Sequence, residues 1–117
     1  MELKEFYQAI GSDFDEIFKR FGNEQLILKF VKSFEKDKSF SELCEGFEEK
    51  DIEKAFRAAH TLKGVAQNLD FGDLGRSAAA LTEALRGTKP LEDYSLYESV
   101  VQAQTALTNA ISALENG

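Results

Sequence analysis

The chain has one cysteine, one proline, one histidine and no tryptophan, and each scarcity removes a class of explanation. A lone Cys44 forbids an internal disulfide and leaves no CxxC pair for redox or zinc chemistry, so it reads as a packed small side chain. With His60 as the only histidine, a zinc site would need mostly carboxylates. The Glu-x-x-His pairs of a carboxylate-bridged di-metal bundle are missing as well, because Arg57 stands three residues before His60. Basic residues are outnumbered, 14 Lys and Arg against 21 Asp and Glu, and the net charge of −7 repels nucleic-acid phosphates and anionic lipid. No apolar run approaches the roughly 20 residues that span a bilayer, and Met1 to Glu5 lacks the basic start and apolar stretch of a signal peptide. A cytoplasmic protein with neither a nucleic-acid nor a membrane partner is expected.

What is present is helix-forming sequence with a substantial apolar content. A length of 117 residues with 43% hydrophobic and 30% charged residues suits one folded domain, residues 1–117, whose bulk comes largely from ten phenylalanines. Pro90 is the only proline, and no linker or low-complexity tract divides the chain. Leu3, Phe6, Tyr7 and Ile10 repeat at helical spacing up to Gly11. Ser12 then offers a cap to a second short helix carrying Phe14, Ile17, Phe18 and Phe21. After Gly22-Asn23, Leu26, Phe30 and Phe34 line one face and Phe40, Leu43 and Phe47 another, which predicts one long helix whose buried face shifts between them. Asp51 caps a central helix with its seam at Ile52, Ala55, Ala59, Leu62, Ala66 and Leu69.

The turn Asp70-Phe71-Gly72-Asp73 follows, with Phe71 as an anchoring aromatic and Asp73 as the cap of a helix carrying Leu74, Ala78, Leu81 and Leu85 and ending at Gly87. After Thr88-Lys89-Pro90 a last helix places Leu96, Val100, Gln104, Leu107, Ile111 and Leu114 on one face, Gln104 being the only polar member. Four long amphipathic helices joined by short connections predict an all-α protein, an antiparallel four-helix bundle with one or two short additional N-terminal helices. One continuous core predicts a monomer.

The central helix carries the chemistry. At 100° per residue, His60 lies about 130° from the centre of the apolar seam, facing outward. Arg57 and Gly64 share that side, and Lys63 and Gln67 flank it. Glycine inside a helix costs roughly 1 kcal/mol relative to alanine, so Gly64 is there for something other than helix stability. Neutral imidazole is a nucleophile near physiological pH that can attack phosphorus, and Arg57 and Lys63 would offset phosphoryl charge. A glycine at i+4 leaves room for another protein to approach.

HTLKG, His60 to Gly64, resembles the HxxKG signature of histidine-containing phosphotransfer domains, and the likeness is strongest over Asp51 to Arg86, with Ala66, Leu69 and the turn Phe71-Gly72-Asp73-Leu74 contributing. The resemblance implies a four-helix bundle whose His60 accepts a phosphoryl group from a receiver-domain phospho-aspartate and passes it to another receiver. Lys63 would neutralise phosphoryl charge, while Gly64, Arg57 and Gln67 would meet the receiver. Thr82 or Arg86, on the adjacent helix, would support the imidazole or the phosphoryl group. The implied partners are response-regulator receiver domains and a hybrid sensor kinase. No cofactor or metal is implied for this chain, the Mg²⁺ belonging to the receiver. The protein would be a phosphoryl carrier and not an enzyme with a nucleotide site, and no GxxxxGK[ST] string is present. Two alternatives stand beside it: the histidine-bearing domain of a chemotaxis-type kinase, which shares HxxKG, and a bundle that binds a receiver or another helical partner without chemistry, whose sequence would not require the histidine. A chain running from Met1 to just past the last helix favours a free-standing protein or an isolated domain.

Overall fold

Glycine and aspartate stops become breaks between helices in the computed structural model, which describes residues 1–116. Among those residues there are seven α-helices and no strand: α1 (Leu3–Ala9), α2 (Phe14–Phe21), α3 (Glu24–Ser33), α4 (Ser39–Glu48), α5 (Ile52–Asn68), α6 (Gly72–Leu85) and α7 (Ser95–Asn116). A 3-10 turn, Phe34–Lys36, lies between α3 and α4. The chain is an all-α helical bundle. Gly22 ends α2 at a left-handed φ of 67°, and the Asn23 side chain accepts the amides of Gln25 and Leu26 to start α3. Asp51 caps α5 by accepting the Lys54 amide at 3.1 Å.

Helix α5 packs between α4 and α6, and α6 packs in turn on α7. The α5 seam is rich in alanine, with Ala55, Ala58, Ala59 and Ala66 all buried, so its neighbours come close. At Gly46 in α4 the approach is closer than any side chain allows: a Cβ there would stand 2.7 Å from the Ala55 amide nitrogen. Phe47 stacks on Tyr97 with ring centroids 4.2 Å apart, which brings α4 to the start of α7.

Several sequence expectations are revised by the structure, some through local bonds and some through packing. The long helix expected from Leu26 to Phe47 is interrupted, because the 3-10 turn ends at Asp37 and the Asp37 carboxylate takes the Ser39 amide at 2.8 Å, restarting the chain as α4. In α3 the buried stripe is Ile27 and Val31, continuing to Phe34, while Leu26 and Phe30 remain 38% and 40% exposed. Ser12 does not cap α2; Asp13 does, accepting the Asp15 amide at 2.9 Å. The last helix starts at Ser95, one residue before the first member of the expected stripe, and the Ser95 amide and hydroxyl both donate to Asp93. Those bonds hold the Asp93 carboxyl below its ordinary range.

Ser12 is occupied elsewhere. Its hydroxyl donates to the Asp70 carbonyl at 2.5 Å and accepts the Gly72 amide at 2.7 Å, so it bridges the turn between α5 and α6. The Asp73 amide donates to the Ile10 carbonyl at 3.1 Å. Asp73 therefore lies inside the first turn of α6 and is not its cap; Phe71 occupies the cap position, and the N-terminal segment satisfies the free amides. The Tyr7 hydroxyl donates to the Leu69 carbonyl at 2.9 Å, and Arg20 Nη2 donates to the Asn68 carbonyl at 2.8 Å. Phe71 is buried against the edge of Phe34 and beside Phe6 and Tyr7. Burial and the nearby Asp70 carboxylate push the Tyr7 phenol up, so it stays a donor.

Tyr7→Phe removes one buried donor and leaves the Leu69 carbonyl unpaired, for an expected loss of about 1–2 kcal/mol. Urea denaturation checks this, and a midpoint equal to that of the wild type would show that the bond adds nothing to stability.

Candidate functional site

His60 projects from the middle of α5 into solvent, as an imidazole on the side opposite an alanine seam must. Its ring lies beside Phe56, one turn earlier on the same helix, with centroids 6.2 Å apart. Phe56 is half-buried and in turn lies beneath Arg86 of α6, whose guanidinium carbon stands 5.5 Å from the ring centre. A ring between them thus links Arg86 to the histidine's side of the bundle. Neither Phe56 nor this stacking was singled out from the sequence, although Phe56 is i−4 from His60.

One turn beyond the histidine, Gly64 is exposed, and a Cβ built on it would meet nothing within 4 Å. The contrast with Gly46 settles why the two glycines differ: one lets two helices of this chain meet, and the other meets no neighbour in the chain. The free volume at Gly64 is open to solvent directly beside the imidazole. Gln67, three residues on, is exposed and borders a shallow depression between α5 and α6 that Gly75, Arg76 and Ala79 also line. His60, Gly64 and Gln67 therefore lie along one accessible strip.

The cations around the strip are in different states. Arg57 is exposed and paired with Glu53 at 2.5 Å, one turn back on α5. Arg86 is paired with Glu83 through Nη2 to Oε1 at 2.8 Å and Nε to Oε2 at 3.1 Å. Lys63 is half-buried and makes no ion pair among the described residues, yet it and Arg86 both act on the Glu83 carboxyl. The hydrogen bond from Arg86 and then its charge hold that carboxyl below its ordinary range, and Lys63 adds to the effect. The acidic chain thus gathers two cations of α5 and α6 near its only histidine. Among the described residues no group of three or more His, Cys, Asp or Glu side chains is placed to hold a metal ion.

Thr82 does not reach this surface. It is fully buried, between Leu81 and Leu85 on the core side of α6, and its hydroxyl donates to the Ala78 carbonyl at 2.7 Å. The support expected of Thr82 is therefore corrected: its only donor is spent on its own helix. The signal was present in the sequence, since Thr82 is i+4 from Ala78 and i−3 from Leu85, both core positions. Arg86 is the remaining α6 candidate. Phe6 and Tyr7, in the N-terminal helix, are buried and present no side-chain surface for docking.

The site is thus an exposed imidazole on a helical bundle, next to cations and an open glycine. The model of the Hpt domain family matches residues 25–117, and the chain belongs to that family. No curated protein and no solved structure matches the chain. Membership implies histidine phosphotransfer in phosphorelay signalling and interaction with response-regulator receiver domains. No helix among the described residues is long and apolar enough to cross a membrane.

Thr82→Val should leave phosphoryl transfer within about twofold of wild type and stability within about 1 kcal/mol, because the hydroxyl serves only a local bond. Transfer assays beside urea melts check both. A large loss of transfer at unchanged stability would return Thr82 to the site.

Proposed function

We propose that His60 is the phosphorylated residue of a phosphorelay intermediate, taking its phosphoryl group from a receiver-domain phospho-aspartate and returning it to another receiver. The observation that carries this is the pairing of an exposed imidazole with a glycine whose side-chain space is empty and faces outward. In the transfer, an imidazole nitrogen lone pair forms the N–P bond while the bond from phosphorus to the aspartate oxygen breaks, and the carboxylate leaves with that electron pair. The imidazole keeps its proton on the other nitrogen. Reversal returns the group to a second aspartate.

Lys63 neutralises charge on the phosphoryl oxygens, and Arg86 supports the group from α6 across Phe56. Gly64 and Gln67 form the contact strip for the receiver, and Arg57 contributes at its other end. The acidic pocket and the Mg²⁺ of the reaction belong to the receiver, and this chain acts as carrier in the cytoplasm, as a monomer, downstream of a hybrid sensor kinase.

Phosphoryl transfer from a panel of phosphorylated receivers tests the proposal. Wild type should form an acid-labile, alkali-stable phosphate, and His60→Gln should form none while keeping its fold, because an outward side chain adds little to the core. Equal transfer to His60→Gln would overturn the assignment. Gly64→Gln should fold at least as well as wild type, by up to about 0.5 kcal/mol on helix propensity, yet accept phosphate about tenfold more slowly or worse. Unchanged transfer in this variant would remove the docking role of Gly64.

A further inference from the structure

The cations that would receive a phosphoryl group share one carboxylate. Glu83 binds the Arg86 guanidinium through two hydrogen bonds, at 2.8 and 3.1 Å. That guanidinium lies over Phe56, 5.5 Å from its centre, and Phe56 flanks the His60 ring at 6.2 Å. As an ordinary i, i+3 surface pair, Arg86 and Glu83 would sit free in solvent and matter only to helix α6. Here the guanidinium, though half exposed, also lies over a ring of the neighbouring helix, one turn before the histidine. The Glu83 side chain is 65% exposed, so its pairing contributes little to folding.

We propose that Glu83 is a positioning residue that keeps Arg86 paired in the unphosphorylated protein and thereby disfavours the phosphorylated state of His60. The inference rests on the phosphohistidine assignment above and adds its regulation. A phosphoryl group brings close to two negative charges and three strong acceptor oxygens. It has to share with Glu83 a guanidinium whose Nε and Nη2 are already engaged and whose charge is already partly neutralised, and it shares the field of Lys63 with the same carboxylate. Glu83 therefore competes with the phosphoryl group for both cations. A carrier built this way gives its phosphoryl group up more readily than one whose cations are unpaired.

Phosphoramidate, a small donor that needs no receiver, separates this inference from the relay reading. The imidazole forms its N–P bond as the donor's P–N bond breaks and ammonia leaves; hydrolysis then returns phosphate and free imidazole. The steady-state ratio of phosphorylated to unphosphorylated protein at a fixed donor concentration, read by ³¹P NMR, should rise roughly two- to fivefold in Glu83→Gln, the range an exposed pair supports. The rise should shrink in a Arg86→Ala background and with added salt, which screens exposed charges. Glu83→Asp, which keeps the charge, should remain close to wild type. An unchanged or lower ratio in Glu83→Gln, at wild-type helicity, would overturn the inference, as would a rise of the same size without Arg86. If the wild-type protein forms no phosphohistidine from phosphoramidate or from the receiver panel, the relay reading falls and takes this inference with it, and that outcome is visible without any variant.

Discussion

The turn between α5 and α6 is the constraint on which the rest of the bundle depends. Two helices that pack along most of their lengths are joined by only Leu69, Asp70 and Phe71, so the last carbonyls of α5 and the first amides of α6 crowd into one place. Such groups need partners when water is excluded. Tyr7, Ile10, Ser12 and Arg20 supply them from the N-terminal segment, and Phe71 anchors the same turn to Phe6, Tyr7 and Phe34. The residues that match the Hpt family begin at position 25, after α2. A segment ahead of the matched region thus fixes the register in which α6 lies against the histidine-bearing helix. That register decides which α6 side chains face α5 near the histidine, and it puts Arg86 over Phe56 and turns Thr82 inward.

Glycine is used in two opposite ways on the two sides of α5. At Gly46 the missing side chain is needed by the chain itself, because α4 meets the Ala55 backbone there. At Gly64 it is needed by nothing in the chain, and the helix bears the entropic cost without a packing return. A feature that costs stability and is unexplained internally points outward. In the phosphocarrier reading this is where a receiver's active-site loops come near enough for phosphorus to pass between an aspartate and the imidazole.

Much of the fold is legible in the sequence. The α5 seam and the outward histidine follow from periodicity alone, since Ala55, Ala59, Leu62 and Ala66 recur on one face with few competitors. Helix α3 was harder because Leu26-Ile27-Leu28 and Phe30-Val31 offer overlapping stripes about 100° apart, and local sequence has no means of ranking them. The core contacts of Ile27 and Val31 decide between the stripes. The caps failed for a related reason: Ser12 and Asp73 have the right chemistry for local caps, but a partner 58 or more residues away took Ser12 first, as its bond to Asp70 shows. Long-range hydrogen bonding leaves no mark on local pattern. Thr82 looked available because threonine is usually exposed, although its core neighbours argued otherwise. Phe56 and Glu83 were missed because an aromatic on a half-buried helix face and a glutamate beside an arginine are ordinary in isolation. They matter only once α5 and α6 are placed together.

The charge arrangement suits a carrier better than a trap. A site that bound a phosphoryl group with several unpaired cations would hold it tightly, and tight holding opposes onward transfer as much as it favours capture. Of the three cations around His60, Arg57 and Arg86 are already paired with Glu53 and Glu83, and Lys63 makes no ion pair among the described residues. These pairs are exposed, so they add little to folding, and side chains held this loosely can exchange partners at small cost. The acidic surroundings of a chain with net charge −7 act in the same direction. What distinguishes His60 is therefore less the strength of any single contact than a near balance of opposing charges around an accessible nucleophile. In the phosphocarrier reading, such a balance keeps the free-energy difference between the phosphorylated and free states small, and a small difference is what lets a group move in either direction between two proteins.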